Sequence, residues 1–222
     1  MRRTAAALLS LALVLALGSC KKEGPATATE TKETKETKQA APSAFAWSEE
    51  PSLDKIPATP VVGEANGKPF KVSTILFEPA MRGGWRMVIA DKKLDSPTGI
   101  LVGCQHIDFD LSEEPAAGKK MTRKMQYGGG YFQIEQADKP GQTTSWNGDN
   151  AWVLELTKWD ARPYDEKGSL FQSVGTASGK VAVVYKDAAG FKRSWAAGTF
   201  ENAAIRYMGK PQKPEKKEDQ KK

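Results

Sequence analysis

The chain has 222 residues, of which 39% are hydrophobic and 27% charged, and its formal net charge is +6. We divide it into a leader (residues 1–19), a polar segment (residues 20–45), a domain (residues 46–209) and a basic tail (residues 210–222). The domain is long enough to bury one hydrophobic core. A multidomain enzyme and a small protein held together by disulfides are therefore both disfavoured.

The excess of basic residues lies outside the domain. Residues 46–209 contain 20 lysines and arginines and 20 aspartates and glutamates, so the domain is formally neutral. A domain that binds nucleic acid normally carries its own basic face. We therefore expect no nucleic-acid partner.

The amino terminus has the pattern of an export signal. Arg2 and Arg3 precede an apolar run over residues 5–17, which is too short to span a bilayer as a helix. The run ends in the sequence Leu17-Gly18-Ser19-Cys20. An aliphatic residue, two small residues and a cysteine in this order resemble the lipobox of bacterial lipoproteins.

The resemblance to bacterial lipoproteins implies a lipid anchor at Cys20. In that family the signal is cleaved before the cysteine, which receives a diacylglycerol thioether and often an acyl chain such as palmitate. Two or three chains hold a protein firmly on a membrane, whereas one gives marginal binding. Lys21 follows the cysteine, and the lack of aspartate there implies the outer membrane. Membrane lipid is therefore the expected partner of Cys20.

The segments on either side of the domain are polar and of low complexity. Residues 30–38 repeat the triplet Glu-Thr-Lys, and residues 210–222 are rich in lysine. Segments with so few large apolar residues do not offset the entropy lost on ordering, so we expect disorder in both. A disordered tether over residues 21–45 would have a root-mean-square length of about 28 Å.

Alternating apolar and polar residues between turn signals predict an all-β domain. We interpret it as a single β-sandwich, with a jelly roll as one form of that architecture and an up-and-down barrel as the alternative. Gly128-Gly129-Gly130 looks like a hairpin connection. The predicted strands are 68–77, 85–90, 99–111, 120–127, 131–136, 151–159, 179–186 and 194–207.

Short sequence motifs bear on the same prediction. Residues 63–68 and 175–180 share the pattern G-x-A-[NS]-G-K, which predicts two similar turns. Residues 66–70 and 197–201 resemble the first and last strands of uncharacterised bacterial envelope lipoproteins, which we take to be β-sandwiches. That resemblance implies a fold and no activity.

Cys104, His106, Asp108 and Asp110 alternate along one predicted strand and therefore share a face. These residue types are good ligands for a transition metal, and His106 is the only histidine. Four ligands from one straight strand cannot close around an ion. We therefore expect a solvated face, with a metal site as the alternative, and a buried, unpaired Cys104.

Two tryptophans lie beside polar turn residues and suggest a carbohydrate site. Trp146 precedes an Asn-Gly turn, and Trp159 is close to Asp160, Tyr164 and Asp165. Exposed rings stack on sugars while carboxylates pair with hydroxyl groups. The alternative is that both rings fill the core, as aromatic residues do in many β-domains.

The sequence favours a lipid-anchored envelope protein whose domain has a non-enzymatic binding or structural role. We predict no catalytic residue and no cofactor. One alternative is a module that binds carbohydrate or peptidoglycan through exposed tryptophans. Another is an envelope hydrolase with unidentified carboxylates, since that chemistry needs only two acids. The expected partners beyond lipid are envelope polysaccharide or another envelope protein.

Overall fold

The computed structural model describes residues 45–81, 83–136 and 139–211. The leader, Cys20, the polar segment up to residue 44 and the tail from residue 212 lie outside the described residues. In the described part, no helix is both long enough and apolar enough to span a membrane.

The described residues form eleven strands and one short 3-10 turn, Leu53–Lys55, so the predicted all-β class is confirmed. The strands are β1 (Val62–Ala65), β2 (Lys68–Phe70), β3 (Thr74–Pro79), β4 (Trp85–Ala90), β5 (His106–Asp110), β6 (Lys120–Tyr127), β7 (Gly130–Gln136), β8 (Lys139–Trp146), β9 (Asp149–Ala161), β10 (Phe171–Tyr185) and β11 (Ser194–Met208).

All eleven strands belong to one hydrogen-bonded sheet. Its order is β6-β9-β10-β11-β3-β4-β5-β7-β8, and the β1–β2 hairpin joins it through β11. One edge of β11 pairs antiparallel with β1 near Ala197 and parallel with β3 near Ala204. The same edge of the long strand β11 therefore pairs with the β1–β2 hairpin and with the group of strands that begins at β3.

The sheet folds over, and its two halves pack face to face. Phe109 of β5 meets Trp152 of β9, with ring centroids 5.1 Å apart, and Phe132 of β7 stacks on Tyr185 of β10 at 5.9 Å. The paired register of β10 shifts at Gly179, and such irregularities bend a strand. The core therefore lies between two halves of a single continuous sheet.

The two G-x-A-[NS]-G-K segments have different structures. Asn66 and Gly67 form the turn of the β1–β2 hairpin, with φ angles of 49° and 76°. The second segment, residues 175–180, lies inside β10, so the prediction of a turn there is wrong. A Cβ atom at Gly179 would overlap the carbonyl oxygen of Glu155 on β9, which explains the glycine.

The predicted strand boundaries agree best with the structure where apolar and polar residues alternate regularly. The predicted strands 85–90 and 120–127 coincide with β4 and β6. Strands β1 and β8 were not predicted, and the predicted strand 68–77 is two strands. The glycine triplet at 128–130 does not close a hairpin, because β6 pairs with β9 whereas β7 pairs with β5 and β8.

Candidate functional site

A cluster of charged side chains is buried on the face of the sheet that points away from the core. Glu78 of β3, Arg86 of β4, Asp108 of β5 and Arg206 of β11 contribute to it. Neighbouring strands place these residues side by side, because β3 pairs with β4 and β11, and β4 pairs with β5. Four strands that are distant in sequence therefore build one site.

Arg86 is the centre of the cluster. Its Nε and Nη2 donate to Glu78 Oε1 at 3.0 and 2.5 Å, and its Nη1 donates to Asp108 Oδ2 at 2.9 Å. Arg206 Nε donates to the other oxygen of Glu78 at 2.9 Å. The backbone N–H of Tyr131 donates to Asp108 Oδ1 at 3.2 Å. Two guanidinium groups thus balance two carboxylates.

The segment between β4 and β5 covers the cluster. Arg206 Nη1 donates to the carbonyl of Gly99 at 2.5 Å, and Lys92 Nζ donates to the carbonyl of Val102 at 3.1 Å. Asp91, the first residue of the segment, accepts hydrogen bonds from the backbone N–H and the side-chain amide of Gln105, its last residue. These bonds hold the two ends of the segment together. This cover explains how charged residues on an outer face become buried.

The predicted solvated face of β5 is therefore wrong. His106 and Asp108 are buried on the same side of the sheet, as the alternation predicted, but the β4–β5 segment covers that side. Cys104 is a buried free cysteine, and its Sγ lies 3.9 Å from His106 Nδ1. His106 Nε2 lies 3.1 Å from the hydroxyl of Tyr131.

The metal alternative for Cys104, His106 and Asp108 is also wrong. Within the described ranges, no group of three His, Cys, Asp or Glu side chains is placed to hold a metal ion. Both oxygens of Asp108 already accept hydrogen bonds, from Arg86 and Tyr131. The physical reason is that β5 directs Asp108 toward the guanidinium of the next strand rather than toward the thiol and imidazole.

Burial perturbs the titration of the cluster. Burial raises the pKa of Asp108 to about 6, and the nearby guanidinium of Arg86 opposes this rise without cancelling it. Burial also lowers the pKa of His106 below its ordinary value, so the imidazole is neutral at pH 7. Desolvation tends to lower the pKa of Arg86, but Glu78 and Asp108 raise it overall.

Trp146 does not form an exposed platform for sugar, so that prediction is wrong. The side chain is 4% exposed, and its ring stacks on Phe191 with centroids 4.9 Å apart and planes 7° apart. A second contact, with Tyr185 at 5.7 Å, joins it to the core. The error concerns the direction of the ring: Trp146 is the last residue of the missed strand β8 and precedes the connection to β9, but its side chain packs in the core.

Trp159 is half-buried and packs on the edge of the core. Its ring is nearly perpendicular to those of Phe77 and Trp85, each with centroids 5.3 Å apart, and these contacts hold it against the core. The ring of Tyr164 packs against Tyr207 at 5.1 Å.

The two predicted carboxylates beside Trp159 have local roles. The exposed Asp160 lies 4.0 Å from Lys158 Nζ. Asp165 Oδ1 accepts from the backbone N–H of Lys167 at 2.9 Å and so stabilises a turn. Neither contact joins these carboxylates to Trp146, and the structure therefore brings together no sugar-binding set from these residues.

The charged cluster includes three residues that sequence reasoning missed. Glu78, Arg86 and Arg206 each interrupt an apolar strand, and that interruption was the only local signal. A charge within a buried strand needs a partner. The sequence alone could therefore have predicted that these three residues are paired. The identity of the partners depends on the strand order and could not be read from one sequence.

Comparisons with known proteins found no match. No protein-family model, no curated protein and no solved structure is significantly similar to this chain.

Proposed function

We propose that this chain is a lipid-anchored protein of the bacterial envelope that presents a non-enzymatic β-domain for binding. The observation that carries the proposal is the order of Arg2 and Arg3, the apolar run and Leu17-Gly18-Ser19-Cys20. Acyl chains on Cys20 would hold the protein on the membrane, because each buried CH₂ contributes about 0.8 kcal/mol. Lys21 supports placement at the outer membrane.

The buried charged cluster supports a binding role for the domain. Perturbed titratable groups that line a cavity are typical of functional sites. Here Asp108 has a raised pKa, and the side chain of Arg86 is 25% exposed beside it. The burial of Trp146 removes the main reason to favour polysaccharide as the partner. We therefore favour a small ligand or another envelope protein.

The hydrolase alternative stays a prediction. Its candidates among the buried carboxylates would be Glu78 and Asp108. Both are bonded to Arg86, and a carboxylate held this way is a poorer nucleophile than one that faces the substrate. This contact favours the binding role over hydrolysis.

Replacing Cys20 with alanine is expected to abolish lipid attachment. The wild-type protein should incorporate a labelled fatty acid and sediment with the outer membrane, because acylation and anchoring both need the thiol. The variant should carry no label. The measurement is metabolic labelling followed by separation of the two membranes on a density gradient.

Cys104→Ala is the matched control for this experiment. Cys104 is the other cysteine of the chain and is buried in the domain, so its loss should leave labelling and fractionation unchanged. Undiminished labelling of the Cys20 variant would contradict the proposal. So would recovery of the wild-type protein in the cytosol with its leader uncleaved.

A further inference from the structure

Large apolar side chains are exposed near the end of the sheet where β3 and β11 finish. Met81, in the connection between β3 and β4, is 85% exposed. Leu170 and Phe171, where β10 begins, are 61% and 51% exposed, and Ile100, in the segment between β4 and β5, is 66% exposed. Four of the seven large hydrophobic side chains that the described residues expose therefore lie in or beside these connections.

Met208, the last residue of β11, brings these side chains together. It pairs with Phe171 of β10, so the two side chains share a face of the sheet. It lines a cavity of about 230 Å³ together with Met81, and a cavity of about 270 Å³ together with Ile100. We call Met81, Ile100, Leu170, Phe171 and Met208 the apolar patch. Exposed apolar groups that gather from separate elements typically mark an interaction site.

Basic residues adjoin the apolar patch. Lys167 and Lys210 are exposed, and Lys210 forms an ion pair with Glu166 at 2.7 Å. Residues 210–222, which begin two positions after Met208, contain six lysines and three acidic residues. Each lysine near an anionic membrane surface contributes about 1 kcal/mol of attraction. Apolar groups that enter the interface and lysines that contact anionic headgroups are the two sources of peripheral membrane binding.

The chain that precedes the domain is long enough for the apolar patch to reach the membrane. Phe45, the first described residue, packs against Trp195 near the start of β11, whereas Met208 ends the same strand. A strand of 15 residues is at most about 50 Å long. Residues 21–44 have a maximum length of about 80 Å, which exceeds that distance. A lipid anchor at Cys20 therefore lets this end of the sheet face the bilayer.

We propose that the apolar patch docks on an anionic lipid bilayer: its side chains enter the interface, and the lysines of residues 210–222 contact the headgroups. An anionic bilayer fits better than a second copy of the chain. A twofold contact through the patch would bring the two lysine-rich segments together, and like charges repel. The proposal rests on the envelope location proposed above and adds a second membrane contact, made by the domain itself.

Sedimentation with lipid vesicles measures this contact without the lipid anchor. The protein is the full mature chain with Cys20→Ala, expressed without residues 1–19, so that it carries no acyl chain. Vesicles of equal parts phosphatidylcholine and phosphatidylglycerol should bind half of the protein at about 1 mM lipid or less. Vesicles of phosphatidylcholine alone should bind it at least about tenfold more weakly, because they do not attract the lysines.

Phe171→Glu and Tyr127→Glu form a matched pair. Each replaces an exposed aromatic ring with a negative charge, and Tyr127 lies at the opposite end of the sheet, where it pairs with Asp149 at the start of β9. Phe171→Glu should weaken binding to the anionic vesicles about tenfold or more, because it removes an inserted ring and adds repulsion at the contact. Tyr127→Glu should weaken it less than about threefold, because salt screens a distant charge. Both side chains are exposed, so both variants should fold.

Each outcome decides the proposal. Binding to anionic vesicles that Phe171→Glu weakens and Tyr127→Glu spares would support it. No binding, or equal effects of the two substitutions, would overturn it. So would a dimer in the absence of lipid that Phe171→Glu dissociates, measured by sedimentation velocity, because the patch would then belong to a contact between two copies. The protein in this test has no acyl chain, so a negative result with normal labelling of wild-type Cys20 would leave the lipid anchor standing.

Discussion

Replacing Arg86 with methionine is expected to lower the free energy of unfolding by about 3–5 kcal/mol at pH 8. The substitution leaves Asp108 buried without its cationic partner and leaves Glu78 with Arg206 alone. An unpaired buried charge costs far more than a surface ion pair contributes. The measurement is equilibrium denaturation with guanidinium chloride, followed by circular dichroism.

The same variant should be less destabilised at pH 5. The pKa of Asp108 in the folded protein is about 6, above the ordinary value of 3.8 for an aspartate. Because the folded state binds this proton more tightly than the unfolded state, the group's contribution to stability is present at low pH and is lost as pH rises through about 6. At pH 5 Asp108 is mostly protonated and needs no cation.

The double variant Arg86→Met with Asp108→Asn is the control. It removes the orphaned charge, so it should recover part of the stability at pH 8 and lose most of the pH dependence. A loss for Arg86→Met of less than about 1 kcal/mol that does not change with pH would contradict the buried ion cluster.

Replacing Trp152 with alanine is expected to lower the free energy of unfolding by about 3–5 kcal/mol. Trp152 is fully buried on β9 and meets Phe109 of the opposing half of the sheet. Its removal would leave a large cavity at the contact that holds the two halves together. Denaturation measured as for Arg86→Met tests this value.

Trp152→Phe is the matched control for the size of the ring. The indole Nε1 is buried and makes no hydrogen bond to a described residue, so phenylalanine loses volume but no polar contact. We expect a loss below about 1.5 kcal/mol. Equal losses for the two variants would contradict a core formed between the two halves of the sheet.

The fold class could be predicted because the period of two is a local signal. β4 and β6 have regular alternation, and their boundaries follow from it. β8 was missed because its sequence, residues 139–146, contains Pro-Gly and is mostly polar, which reads as a loop. Its pairing with β7 is a tertiary contact that overrides the weak local preference.

The candidate site was harder to predict because its parts come from distant strands. The alternation placed His106 and Asp108 on one face, which is correct, but it carried no information about what covers that face. The β4–β5 segment converts an outer face into a buried one, and Arg206 reaches it only through the parallel pairing of β11 with β3. Such long-range pairings are not encoded in the spacing of residues.

Mass spectrometry of the amino-terminal peptide tests the lipid anchor most directly. The native protein is extracted from membranes and digested with trypsin, which cuts after Lys21. If Cys20 is lipidated, the recovered peptide begins at Cys20 and carries the added mass of diacylglycerol and an acyl chain. A peptide that extends upstream of Cys20 and holds an unmodified thiol would contradict the lipid anchor.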